Sequence, residues 1–487
     1  MPRRRRISTF EWAGKPFVYA SGPRARGTEG VVDGFLKAIG MAARATTLAA
    51  TAALAMLLAS TQTAAGAETY IRDTEIEADI QAMMAPIWKV AGLDANALHI
   101  YLIQDKQLNS FVAGGQNEFI NTGLILRAKT PNQLIGVLAH ETGHISGGHL
   151  TRFQDAVRNA SIEGIIAMVV GAAAAVASKG SSGSGAAMLP AEGVAERAFL
   201  QYSVGQEAAA DQAALSFLDR SGQSARGFLE FFQILQGEEL LSGMRQDPYL
   251  RSHPLTSQRI EYARHHVERS RFSDVPDSAA NIDLLKRIKA KLEAFISPPS
   301  STLAAYPEKD QSVVARYARA IAYYRIPQLD RALPIIDGLI RDFPKDPYFR
   351  ELKGQMLFEN GRIADAIPPY EEAIRLAPGA PLLRISLAQA YIETNDPAVN
   401  KRAIAHLNDA LRTEDKETGA WRLLATAYGR DNQMGMAALA LAEEGLSAGK
   451  KKVAQQQANR AKALLPKNST AYNRAENIHR QAGERDD

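Results

Sequence analysis

The sequence has no cysteine among its 487 residues. That excludes a disulfide framework, a thiolate metal site, an iron–sulfur cluster and a cysteine nucleophile, so any metal must be held by His, Asp and Glu. It has no uninterrupted apolar run of about 20 residues, the length a spanning helix needs, which excludes a polytopic membrane protein. It also lacks a strong charge of one sign over most of its length. The net +4 is concentrated: residues 1–67 hold nine Lys/Arg against three Asp/Glu, which leaves the rest of the chain at −2. A body so balanced has no electrostatic footprint for nucleic acid, and none is expected as a partner. What remains, 46% hydrophobic and 23% charged, is ordinary globular composition, and the length predicts about two to four domains.

The N-terminus reads as an export signal. Met41 to Arg44 is a short basic start, Thr46 to Ser60 is uncharged and rich in Ala and Leu, and Ala65-Gly66-Ala67 satisfies the small-x-small cleavage rule. Cleavage near Ala67 leaves Glu68 as the mature start, with a periplasmic destination. Residues 1–40 then read as an upstream extension, with Met41 as the start. Arg3 to Arg6 suggests twin-arginine export, but the apolar run begins some forty residues later.

Along the mature chain, residues 73–91 read as an amphipathic helix. Ile76, Ile80, Met83, Met84, Ile87 and Trp88 recur at helical spacing, and Gly92 stops it. Leu98 to Ile103 is a β-type run. Asn109–Ala113 and Glu118–Asn121 flank a Gly114-Gly115-Gln116-Asn117 turn, which reads as a hairpin. Thr130-Pro131-Asn132-Gln133 combines a capping box with Pro at the first helical position, so a helix starts there and runs toward Gly147-Gly148. Residues 203–220 and 225–237 are helical again. Residues 164–178 are uncharged but too short to span, and read as a semi-buried helix before a mobile loop; peripheral membrane contact or a lid is the alternative. Ser297 to Ser301 marks a linker.

Beyond it lies an internal repeat. Ala320, Tyr323, Ala332, Ile336, Leu339 and Pro344 return 34 residues later as Gly354, Leu357, Ala366, Tyr370, Ala373 and Pro378. That is the tetratricopeptide period. Third and fourth copies follow through Ala388, Tyr391 and Trp421, and a last unit overlaps them. Such repeats stack into a superhelix whose concave face binds protein segments. They carry no chemistry.

The chemistry sits at His140-Glu141-Thr142-Gly143-His144, an HExxH motif inside the helix begun at Thr130. Spacing i, i+4 puts both imidazoles on one helical face, where they can chelate one Zn2+ per chain. Zinc acidifies a bound water, and Glu141 is placed to take its proton and hand it to a leaving amine. The third ligand decides the class. A metzincin needs His at 150, which is Leu; His149 misses by one and reads as a polar or capping residue. The alternative is Glu207, in an ExxxD pair with Asp211 on a later helix, next to Ala208, Ala209 and Ala210 that permit close packing. Asp211 would accept the other ring N–H of a ligand histidine, His140 in particular.

HExxH, the remote ExxxD and a following Ser252-His253-Pro254-x4-Arg259 together resemble metallopeptidase family forty-eight, the Oma/Ste/HtpX-type group. With an export signal in front and repeats behind, about residues 68–480 resemble its BepA-type periplasmic protease–chaperones. The resemblance implies zinc at His140, His144 and Glu207 with Glu141 as base. It also implies that His253 can take the fourth metal position and hold the enzyme latent, with Arg259 near the cleft. Otherwise His253 is only a histidine before a helix-starting Pro, and Arg259 a helix-surface charge. In gluzincins an edge strand beside the metal pairs with extended substrate; Asn109, Phe111 and Ala113 are the candidates.

The expected fold is mainly α with a small β-sheet: a gluzincin-type metallopeptidase domain at 68–296, a linker at 297–310 and an α-solenoid of repeats at 311–480. The expected function is a cell-envelope zinc metalloendopeptidase that degrades misfolded or stalled outer-membrane proteins. Unfolded clients or the outer-membrane assembly machinery would dock on the repeats. The rivals are a chaperone or assembly factor with a latent site, and a repeat scaffold that binds no metal.

Overall fold

A computed structural model describes residues 70–149, 161–166, 204–242, 253 and 255–483. The extension, the export signal, residues 167–178 of the uncharged segment, Ser252 and Pro254 lie outside the described residues.

The chain enters through strand β1 (Tyr70–Ile71) and helix α1 (Thr74–Ala91). Asp73 caps α1 by accepting from the Ile76 amide, Glu75 and Glu77 complement its N-terminal dipole, and Gly92 ends it at φ 75°. The six apolar residues expected on its inner face are all buried. Strands β2 (His99–Ile103), β3 (Ser110–Ala113) and β4 (Asn117–Asn121) complete one four-stranded sheet in the order β1-β2-β4-β3. The expected hairpin forms: β3 and β4 pair antiparallel, while β2 and β4 run parallel. Among the described residues β3 is therefore an edge strand. Tyr101, Phe119 and Phe111 are in register across three strands and stack, with ring centroids 5.2 and 4.8 Å apart.

After the short helix α2 (Thr122–Arg127) comes α3 (Pro131–Ser146), which carries HExxH, followed by α4 (Val204–Arg220), α5 (Arg226–Ser242), α6 (Ser257–Arg269) and α7 (Ala279–Ile296). Gly136 lets α3 meet α5, since a Cβ there would stand 2.9 Å from the Phe228 backbone. Among the described residues no helix is long and apolar enough to cross a membrane.

The stretch expected as a linker folds. Pro299 opens α8 (Pro299–Ala305), and Arg325 reaches back to the Ala294 and Ser297 carbonyls. Proline starts helices as readily as it breaks them, which composition alone does not distinguish. Five helical hairpins then follow among the described residues: α9 (Val313–Arg325) with α10 (Leu329–Asp342), α11 (Tyr348–Glu359) with α12 (Ile363–Leu376), α13 (Pro381–Glu393) with α14 (Pro397–Ala410), α15 (Thr418–Arg430) with α16 (Met434–Ser447), and α17 (Lys451–Leu464) with α18 (Thr470–Gly483). The small repeat positions do what the spacing implies. A Cβ on Gly354 would strike the Tyr370 ring at 2.8 Å.

The repeats are tied to the start of α1 by buried charge. Lys291 of α7 lies 2.8 Å from Asp73 and 2.9 Å from Glu75. Glu75 also accepts from the Tyr317 hydroxyl at 2.6 Å and pairs with Arg287, which in turn holds Asp346 and covers the Phe349 ring. Thr74 donates to Glu351, and Arg72 bridges Glu77 and Glu414. Removing one partner from such a buried pair costs about 3–5 kcal/mol, because the other charge is left unpaired.

Candidate metal centre

Helix α3 starts where the capping pattern puts it, with the Thr130 hydroxyl accepting from the Gln133 amide at 3.3 Å. The Gln133 side chain reaches back to the Lys129 amide, one residue earlier than a standard capping box. Ten residues on, His140 and His144 share a face with their Nε2 atoms 3.1 Å apart. Helix α4 crosses them closely because Gly143 has no side chain. A Cβ at 143 would lie 2.7 Å from the Ala210 carbonyl. Gly mid-helix is worth about 0.5–1 kcal/mol less than Ala, and this approach is what offsets that cost.

The crossing delivers Glu207. Its Oε2 is 3.4 Å from His140 Nε2 and its Oε1 is 3.3 Å from His144 Nε2. His253, just ahead of α6, adds a fourth donor: Nδ1 stands 3.4 Å from His140 Nε2 and 3.1 Å from Glu207 Oε1. All four side chains are fully buried. Their ligand atoms lie within 4.8 Å of one another. A tetrahedral ion with bonds of about 2.0–2.1 Å needs donor–donor edges of about 3.3–3.4 Å. The five separations just given, 3.1–3.4 Å, are near that spacing, but they draw on both Glu207 oxygens, and the set with one atom per residue spans up to 4.8 Å. Three imidazoles and one carboxylate suit zinc and leave no sulfur-loving alternative.

The groups behind the donors are ordered too. Asp211 Oδ1 is 2.8 Å from His140 Nδ1, so the far nitrogen of His140 is occupied and Nε2 is directed inward. Arg259 holds Asp211 through Nε and Nη2 at 2.6 and 2.9 Å, and places Nη1 2.7 Å from Glu207. It braces two carboxylates and lies over the Phe232 ring, so it is no surface charge. His149 is not merely polar: its Nδ1 is 3.0 Å from Nδ1 of His144, the position Asp211 holds at His140.

Electrostatics follow from burial and these partners. Burial opposes the His140 imidazolium, but hydrogen bonds to Asp211 and Glu207 outweigh it and lift the pKa to about 9. Burial drives His144 well below the usual imidazole range. Burial would raise Glu207, yet His253, His140 and His144 hold it far below the usual carboxylate range. Glu141 behaves oppositely. Buried, without a hydrogen-bond partner and 3.5 Å from His253 Nε2, its carboxyl is pushed well above its ordinary value. A carboxylate that accepts no bond inside the protein is available to a substrate or water.

The expected edge strand is only partly as read. Asn109 precedes β3 and gives its carbonyl to the Asn121 amide. Val112 packs on Ile145 of α3, so its neighbours Phe111 and Ala113 point to the other face. Phe111 is committed to the ring stack, and all four residues of β3 are buried. Sequence reasoning missed Gly143, His149 and Glu118. Glu118 is a buried acid on β4, and nothing in its local pattern, Asn-Glu-Phe-Ile-Asn, marks it.

Residues 71–267 match the family model described as Peptidase family M48, and residues 317–381 and 357–427 match two tetratricopeptide-repeat models. The chain carries a peptidase domain of this family, followed by tetratricopeptide repeats. It is a metallopeptidase. Among curated relatives it is similar to the beta-barrel assembly-enhancing protease of Yersinia pestis, 24% identical over 71% of this chain and 72% of that protein. It is similar to the protease of the same name from Escherichia coli strain K12, 25% identical over 68% of this chain and 67% of that one. A putative beta-barrel assembly-enhancing protease of Vibrio cholerae is 24% identical over 51% of this chain and 52% of its own length.

Proposed function

We propose that this is a zinc metalloendopeptidase of the cell envelope that acts on outer-membrane proteins whose assembly has stalled. Zinc would be held by His140, His144 and Glu207, and His253 would close the fourth position in the resting enzyme. The observation that carries the reading is the convergence of those four buried donors beside a Glu141 that accepts no hydrogen bond. The relatives' names support the setting, and the apolar run before Ala67 supports export to the periplasm. The repeats supply a docking surface for clients or for the assembly machinery.

When bound, the ion supplies Lewis-acid polarisation of the scissile carbonyl and of the attacking water. The protein does the rest. Glu141 accepts the proton from that water on a carboxylate oxygen and returns it to the departing amine nitrogen. Asp211 fixes the His140 ring, and Arg259 fixes Asp211 and Glu207. His253 must swing aside before substrate enters, since its Nε2 sits 3.5 Å from Glu141. The edge of β3 would then pair with an extended peptide through backbone hydrogen bonds, which selects for unfolded chain over sequence.

The test is zinc analysis and cleavage of an unfolded outer-membrane β-barrel protein by wild type, Glu141→Gln and His253→Ala. Glu141→Gln is expected to keep its zinc and lose cleavage; His253→Ala is expected to cleave faster than wild type. Equal cleavage by wild type and Glu141→Gln would defeat the mechanism. Zinc-free protein in every case would favour a repeat scaffold.

A further inference from the structure

Glu118 has no place in the chemistry above. It lies on β4, one strand in from the β3 edge, and is 1% exposed. Neither of its carboxylate oxygens has a hydrogen-bond partner. Burying such a group without partners costs several kcal/mol, so the position demands an explanation that packing does not give. Burial alone moves its carboxyl, up to about 8. Among the described residues no cation pairs with it.

Register places it precisely enough to suggest one. Glu118 is the antiparallel partner of Val112, so the two side chains share a sheet face. Val112 packs on Ile145, which makes this the face toward the HExxH helix. A second fully buried carboxyl without a hydrogen bond therefore faces the helix that carries the base.

We infer that Glu118 is a specificity residue that receives a basic side chain, Lys or Arg, of the peptide bound along β3. This rests on the proposed pairing of substrate with that edge. A peptide residue added opposite Val112 lies two inter-strand steps of about 4.8 Å from Glu118. Only a long side chain spans that distance, and one ending in a cation turns a costly lone carboxyl into an ion pair. Its aliphatic stem would run over Val112. Met or Leu would leave the acid unpartnered, and Asp or Glu would set two carboxyls together. Backbone pairing would make the enzyme tolerant elsewhere in the peptide, with one basic position standing out.

The experiment uses quenched-fluorescence peptides that differ only in carrying Lys, Arg, Gln or Met at each position near the cut. They are tested on the full chain, wild type and His253→Ala, with and without Glu118→Gln or Glu118→Met. At one position the Lys and Arg peptides are expected to exceed Met by about tenfold or more in kcat/KM. That ratio should collapse toward one in both Glu118 variants while cleavage of the Met peptide persists. Glu118→Met also guards against misfolding, since an apolar side chain is at home in this wall; unchanged thermal unfolding verifies it. Equal cleavage of Lys and Met peptides at every position overturns the inference and leaves the peptidase reading intact. So does a preference that survives both substitutions. No cleavage of any peptide by either wild type or His253→Ala overturns the peptidase reading itself, and the inference with it.

Discussion

Two regions of this molecule bury charge, and they do it differently. At the junction between α1 and the repeats, Lys291, Arg287 and Arg72 each touch named carboxylates directly. At the centre under α3, three imidazoles and one carboxylate face a common point, and two further acids, Glu141 and Glu118, accept no hydrogen bond among the described residues. The first region pairs its cations with carboxylates and holds parts together. The second is open in its bonding and therefore has work left to do with an ion, a water or a substrate. Burial alone does not separate structure from function; donors that converge on one point beside a carboxyl without a hydrogen bond do.

Substitutions can break that contrast. The largest effect is expected from Gly143→Ala. Its Cβ would strike the Ala210 backbone, push α4 off α3 and carry Glu207 out of the ligand set. Zinc content measured on purified protein should fall to near zero; full occupancy would mean the close approach is not what builds the site. Next comes Lys291→Met, which leaves Asp73 without its cation and Glu75 with Arg287 alone. Chemical denaturation should show a loss of about 3–5 kcal/mol with zinc retained. Loss of zinc with unchanged stability would invert the roles assigned to the two regions. Asp211→Asn is expected to weaken zinc about 10–100-fold in a chelator competition while the fold persists, because His140 loses the acceptor that sets its tautomer.

The smallest effect is a slope with pH. Burial raises Glu77 and Glu351 to about 7 and Asp79 to about 8, against about 4 for a free carboxyl. The folded chain then keeps protons that the unfolded chain releases. Stability is full below about pH 4 for these groups and declines as pH rises through 7–8. The melting temperature should therefore be lower at pH 8.5 than at pH 6, and Asp79→Asn should flatten the decline. A melting temperature that rises over the same interval would contradict this.

Much of this was readable in the sequence, for definite reasons. The amphipathic helix ending at Gly92, the hairpin around Gly114, the capped helix at Thr130 and the 34-residue repeat all follow from local patterns, and locality is what one sequence exposes. The HExxH pair is local as well. Glu207 was found only because ExxxD and its alanines form a pattern of their own. The parallel pairing of β2 with β4 and the ion network at α1 join residues far apart in the chain, and no period announces them. His149 was set aside because metzincin spacing asks for a ligand, whereas the fold uses it one atom further back, on His144. Arg259 gave no bottom-up sign, since a helix-surface arginine and one clamped to Asp211 look alike until α4 and α6 are placed together.

The central claim is that His140, His144, Glu207 and His253 surround one zinc ion and that His253 is the removable member. Zinc-edge X-ray absorption of the metal-loaded chain tests it most directly, comparing wild type with His253→Ala. The account predicts three nitrogen donors from imidazole and one carboxylate oxygen in wild type, and one imidazole fewer in the variant. An unchanged imidazole count between the two, or a site with only two imidazoles in wild type, would contradict it.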